Sequence, residues 1–191
     1  KTAGAFTLAE LLIALAILGV IATFAIPKVL NSQQDGKFNA IAKETAGMVS
    51  SAYQQVQLEG KLSQDTGFSD LTPYLNYVAV QTTGQIDSYQ SDAVARDCGT
   101  YTCLKMHNGA IVHYDPTVSF GGTDSLRAFW VAIDPDGETA GNNTGKSVVF
   151  FQYYNGKLRS FGEIEPNTQE NGWTYPSPCP TCNPPWFSWG N

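Results

Sequence analysis

The stretch Phe6–Pro27, FTLAELLIALAILGVIATFAIP, constrains this chain more than any other. It is 22 residues long, carries one charge, Glu10, and ends in a proline. The hydrocarbon core of a bilayer needs about 20 apolar residues of helix, and this stretch supplies them. Ala and Leu dominate, with few β-branched interruptions, so the composition favours helix. A carboxylate in such a helix costs roughly 2.5–3.5 kcal/mol on insertion scales at the helix centre, and less near an end. Glu10 therefore asks for a compensating partner.

From Lys28 to Glu59 the apolar run gives way to an amphipathic one. Phe38, Ile41, Thr45, Met48, Ala52 and Val56 step by three or four residues, and Ala42, Val49 and Tyr53 widen the stripe. That is helix periodicity with one face to bury. Gly60 is a helix-ending signal. The two runs together predict one helix from Thr7 to Glu59, spanning roughly 80 Å at 1.5 Å per residue. Pro27 removes one hydrogen bond and crowds the preceding turn, so a bend or local melting is expected there. The first half suits a membrane and then a filament core; the second suits a globular head.

After residue 60 the chain changes character. Charged residues make up only 15% of the whole and aromatics 12%, with Gly and Pro plentiful. That mixture suits an exported, turn-rich β domain. Residues 61–97 read as a loop with a short helix near Ser69–Leu75. Thr102–His107 and Ala110–Tyr114 flank Asn108–Gly109, a two-residue hairpin signal. Arg127–Ile133 and Ser147–Tyr154 are β-branched and aromatic, and Asn155–Gly156 turns into Lys157–Phe161. The fold class is α+β: a long N-terminal helix, apolar stalk plus amphipathic half, packed on a C-terminal antiparallel sheet of 4–5 strands. The expected organisation is a 1–5 leader remnant, a 6–27 apolar helix and a 28–191 head. Within the head, 28–59 is the amphipathic helix, 60–101 a loop region, 102–162 the sheet and 163–191 an aromatic, proline-rich tail.

The segment FTLAELLIALAILGVIATFAIPKVL resembles the N-terminus of type IV pilins and pseudopilins. In that family a prepilin peptidase cuts before an aromatic residue, the new N-terminus is N-methylated, and the fifth mature residue is glutamate. The resemblance places the cut between Ala5 and Phe6 and makes Glu10 fifth. Gly19 and Pro27 fall where many members have a helix-loosening glycine and proline. The residue before the cut is Ala5 where the family usually has glycine; a cut after Gly4 would push Glu10 to sixth. The resemblance implies filament assembly through Phe6, Glu10, Gly19 and Pro27, with Glu10 pairing the methylated amine within one subunit or between neighbours.

It also implies a structural subunit of an extracellular type IV pilus and not an enzyme. Its partners would be copies of itself, a prepilin peptidase and an inner-membrane assembly machinery. It would sit in the inner membrane as a precursor and then in a filament on the cell surface. The alternatives are a type II secretion pseudopilin and a minor or adhesive tip pilin. A tethered extracellular enzyme is a third reading, one that would tolerate Glu10→Ala. The net charge of −6 argues against general nucleic-acid binding, and no specific nucleic acid is expected.

Four cysteines form two close pairs, Cys98/Cys103 and Cys179/Cys182. Outside the cytosol disulfides are the default, and four cysteines allow three pairings. The intervening GTYT and PT segments suit tight loops, which favours the local pairs. A zinc site built from all four is the alternative. The Cys179–Cys182 spacing is that of a redox motif, but prolines surround it and no βαβ pattern does. Asp134, Asp136 and Asn142 suggest a calcium loop, with a plain hairpin loop as the competing reading and no other cofactor expected. His107 and His113 read as surface or cross-strand residues. The tail aromatics Trp173, Tyr175, Trp186, Phe187 and Trp189 read as packing, with an exposed binding surface as the alternative.

Overall fold

The computed structural model describes residues 7–63, 65–84, 97–117, 129–137, 148–152, 158–160, 169–170, 173–174 and 187. One helix, α1, runs Leu8–Leu58, within a residue of the sequence expectation at each end. The chain divides into two compact units, Lys1–Lys37 and Phe38–Asn191. In the first unit α1 continues through Pro27 without interruption, so the local melting expected there does not occur. Pro27 deletes a single donor, the one that would have met the Thr23 carbonyl.

In the second unit α1 buries Ala42, Thr45, Ala46, Val49, Ala52, Tyr53 and Val56. These steps of one, three and four residues define a single stripe. The stripe is narrower than the sequence suggested, since Ile41 and Met48 are only partly buried at its edge. The helix stops in a Schellman arrangement. Gly60 takes φ +68°, the Lys61 amide donates to the Val56 carbonyl at 3.1 Å, and the Gly60 amide donates to Gln57 at 3.0 Å. Glycine meets this left-handed turn without a Cβ penalty.

A 3-10 helix, Phe68–Tyr74, follows, where the sequence placed a short helix. Its first turn is held by the Gly67 amide donating to the Asp70 carboxylate at 2.8 Å. The strands are β1 (Tyr77–Gln81), β2 (Thr102–Met106), β3 (Ile111–Tyr114), β4 (Phe129–Asp134), β5 (Val148–Gln152), β6 (Leu158–Ser160), β7 (Gln169–Glu170) and β8 (Trp173–Thr174). Among the described residues β1–β6 form one antiparallel sheet in sequence order, and β7–β8 form a separate two-stranded ribbon. The α+β expectation holds, and the sheet gains a strand, β1, within the region expected to be loop.

Alternation along β2, β3 and β4 sorts the core. Leu104, Met106, Val112, Tyr114, Val131 and Ile133 join the helix stripe in one cluster, which also takes in Phe68, Leu71 and Phe187 of the tail. The intervening positions Cys103, Ile111 and Ala132 join Cys98 in a smaller cluster on the opposite face. All four residues of β3 are buried, so the sheet is covered on both faces at its centre.

The β2–β3 hairpin differs from the expected two-residue turn. Gly109 donates to the Met106 carbonyl at 3.0 Å, and Met106 donates to Ala110 at 2.8 Å. With Gly109 at φ +91°, this is a three-residue loop, His107–Gly109, of the type I plus glycine-bulge kind. Asn108 ties it to the helix. Its Nδ2 donates to Thr45 Oγ1 at 3.0 Å and to Glu44 at 3.3 Å. The turn after β4 abuts this loop, because a Cβ on Gly137 would lie 2.0 Å from the Gly109 carbonyl oxygen.

Candidate functional site

The candidate site is the surface of α1 within the first unit. Every large apolar side chain from Leu8 to Leu30 is more than half exposed, with Phe24 the most at 76%. The exposure runs around the whole circumference. Glu10 and Gly19 are nine positions apart, half a turn round the helix at 100° per residue. A helix that is apolar all round needs lipid or protein on every side. This one is long and apolar enough to cross a membrane, and it fits a transmembrane stalk.

Glu10 is the one acidic residue here, and the structure gives it partners. Its Oε2 accepts from the Thr7 amide at 2.8 Å and from the Thr7 hydroxyl at 2.9 Å. In return the Glu10 amide donates to Thr7 Oγ1 at 3.3 Å. This reciprocal capping box satisfies two donors that the start of any helix leaves open. The Thr-x-x-Glu spacing is itself a helix-start signal, and it brings Thr7 into the site as a partner of Glu10 that the sequence expectation does not include. Ala5 and Phe6 lie outside the described residues, so the expected Glu10–Phe6 pairing is not tested by geometry.

Gly19 has open space around it: a Cβ there would meet nothing within 4 Å. No contact within the described chain demands a glycine at this position. The Thr23 hydroxyl, one turn on, donates to the Gly19 carbonyl at 2.8 Å. Small residues of this kind let neighbouring helices approach closely in a membrane or bundle.

The other residues singled out from sequence lie in the second unit. Cys98 and Cys103 form a disulfide, one of the two local pairs favoured. The four-cysteine zinc alternative thereby loses two of its ligands. Cys179 and Cys182 lie outside the described residues. Asp134 is fully buried at the end of β4, Asp136 follows in the turn, and Asn142 lies outside the described residues. Among the described residues no group of three His, Cys, Asp or Glu side chains is placed to hold a metal ion. His113 is fully buried, not at the surface, with its ring 4.9 Å from that of Tyr101. It sits between Cys103 and Ala132 in the cross-strand register, so two-sided coverage of the sheet accounts for its burial. Of the tail aromatics, Phe187 is in the core.

A charged network closes the C-terminal end of α1. Lys61 Nζ lies 2.6 Å from the Glu59 carboxylate. The Tyr74 hydroxyl donates to Glu59 at 2.5 Å and receives a hydrogen bond from Lys61 at 3.0 Å. Hydrogen bonds from Lys61, then Tyr74, then Gln55 hold the Glu59 carboxyl down at about 2. The same contact with Glu59 raises Lys61 well above the ordinary lysine value.

Comparison with known proteins bears on the first unit. No curated protein and no solved structure matches the chain. Residues 1–26 match the family model of the prokaryotic N-terminal methylation motif. That motif implies processing by a prepilin peptidase and assembly into pilus-like filaments. Residues 1–26 thus carry the prepilin signature, and in this segment the chain is similar to type IV pilins and pseudopilins.

Proposed function

We propose that the protein is a structural subunit of an extracellular type IV pilus, polymerising through residues 6–27. The observation that carries this reading is the all-round exposure of α1 from Leu8 to Leu30 together with the single carboxylate Glu10. A simple membrane anchor needs the apolar length but has no use for the charge. A subunit that leaves lipid to pack among copies of itself has a use for both. Lipid tails are as apolar as leucine, so apolar burial alone does not drive that transfer. Close packing at small residues such as Gly19 and satisfied polar groups do.

Cleavage between Ala5 and Phe6 frees an amine one residue before Thr7. Glu10 accepts the Thr7 amide at 2.8 Å, and the new amine would be one residue along the chain from that donor. Opposite charges at that range in a low-dielectric bundle offset each other's desolvation. An amine supplied by a neighbouring copy satisfies the same carboxylate, which sets register between copies. Contacts of this head-to-tail kind do not close, and they build a fibre.

The test is Glu10→Ala in cells. Fibres sheared from the surface should be lost while precursor in the membrane persists at its usual level. Normal fibres from the variant would overturn the reading and favour a tether. A secretion pseudopilin shares the same stalk; abundance in sheared surface fibres separates it from a pilus subunit.

A further inference from the structure

Among the described residues the strand β1 is the outermost of the main sheet, and it is built unlike a protected edge. Tyr77, Val78, Ala79 and Val80 are all exposed, Val78 by 61% and Val80 by 51%. The strand, YVAVQ, has no charge and no proline. Natural edges usually carry one or both, because a bare apolar edge invites another strand to pair with it. A bulge at Val78 interrupts the pairing with β2 and leaves Ala79, Val80 and Gln81 in regular register. The regular stretch is long enough for a short added strand and too short to template an extended sheet.

Its register fixes what such a strand would carry. Tyr77 and Val80 pair with Met106 and Leu104, residues of the helix-side core. They therefore present apolar groups on that face. Ala79 pairs with Lys105 on the other face. Lys105 is half-buried, and none of the ion pairs or side-chain hydrogen bonds among the described residues involves it. Ala79 is small, so the four-carbon stem of Lys105 can cross it toward the next strand position. Beside it, Gln81 has a buried Oε1 with no hydrogen-bond donor among the described residues.

We propose that β1 is a docking edge for an extended peptide segment of another protein. That segment is apolar on the face meeting Tyr77 and Val80, and on the other face it carries a carboxylate opposite Ala79 and a hydroxyl opposite Gln81. Main-chain hydrogen bonds to this edge, which pairs with no other strand among the described residues, supply the attachment, as in other strand additions. Lys105 supplies the selection for acid. A second copy of β1 is the poorer occupant, because an antiparallel pair would bring a second Lys105 to the same face.

The test uses the full chain in detergent micelles and a fluorescently labelled, end-blocked peptide Val-Glu-Val-Thr-Val, with Val-Lys-Val-Thr-Val as its control. Fluorescence anisotropy at low salt should show the Glu peptide binding about threefold to tenfold more tightly than the Lys peptide, the size of one exposed charge contact made or reversed. Lys105→Glu should invert that preference, which also shows that the variant is folded. Val80→Asp should abolish binding of the Glu peptide. Equal affinity for the two peptides, or no binding of either, overturns the proposal. So does a Val80→Asp variant that loses only self-association, since the occupant is then a second copy.

Discussion

The two units of this chain use apolar residues in opposite ways. From Leu8 to Leu30 the helix exposes large apolar side chains on every side. From Ala42 to Val56 the same helix keeps one stripe, and that stripe is fully buried or nearly so. The second region is satisfied by its own chain: the helix stripe, both faces of β2–β4 and Phe187 complete a core. The first region's large apolar side chains, from Leu8 to Leu30, are more than half exposed among the described residues. Its surface is therefore written for what surrounds it, whereas the head's apolar stripe is written for its own core. Substitutions in the two regions should accordingly fail in different assays.

The sharpest contrast comes from Tyr53→Ala against Leu15→Ala, in the full chain in detergent. Tyr53 is fully buried, and truncating a buried aromatic removes about 3–5 kcal/mol. Urea unfolding of the head should shift by that amount for Tyr53→Ala. Leu15 is 56% exposed, and its replacement should leave the head's midpoint unchanged while lowering fibre yield. Equal effects on head stability would break the comparison.

Next comes Gly137→Ala. The position has φ +69°, and a Cβ would sit 2.0 Å from the Gly109 carbonyl oxygen. The left-handed strain alone is about 1–3 kcal/mol, and the two abutting loops must also move apart. Gly19→Ala has no such clash, so it should leave the head's unfolding unaltered and act on assembly alone.

Much of this contrast was legible beforehand. The β7–β8 ribbon lies in a tail that reads as loop, whereas the helix bounds, the short helix after it, the five strands between Thr102 and Ser160 and the Cys98–Cys103 pair follow from periodicity, turn residues and spacing. These are local signals. The misses have a common physical cause, which is that the deciding partner is distant or the pattern lacks a buried face. β1 is exposed along most of its length, so YVAVQ shows no burial alternation, and its partner Cys103 lies well along the chain from Gln81. His113 reads as a surface or cross-strand residue; the cross-strand reading holds, and its burial depends on cover over the second sheet face that nothing nearby in sequence announces. The capping role of Thr7 is encoded by Thr-x-x-Glu, a local helix-start signal independent of any pairing of the Glu10 charge with Phe6. The third residue of the β2–β3 loop depends on whether Met106 bonds Ala110, which Asn-Gly alone does not decide.

Smaller effects sharpen the head side. Cys98 and Cys103 close a loop with a sequence separation of 5, and removing so short a constraint costs about 2 kcal/mol in the chain-entropy account. Cys98→Ser should lower the urea midpoint accordingly and leave fibre assembly intact. The smallest effect is electrostatic. The folded head holds Glu59 at about 2 through Lys61, Tyr74 and Gln55, whereas an unfolded glutamate titrates near about 4.3. The unfolded chain takes up the proton first as pH falls. The network's contribution is thus complete above about pH 4.3 and is lost as pH drops toward 2. Lys61, raised by Glu59, contributes fully below the ordinary lysine value and loses its contribution only as pH rises through its own higher value. Glu59→Gln should flatten the acid limb of the head's stability profile, read by thermal melts from pH 2 to 5. An unchanged limb would show that water screens this exposed network completely.

The account rests on the exposed helix being the surface between copies. Electron microscopy of fibres sheared from the cell surface, with N-terminal sequencing of the fibre protein, tests that most directly. The account predicts fibres built from this protein with an N-methylated Phe6 as the first residue, four positions before Glu10. Fibres that lack the protein, or that contain it with residues 1–5 still attached, would contradict it.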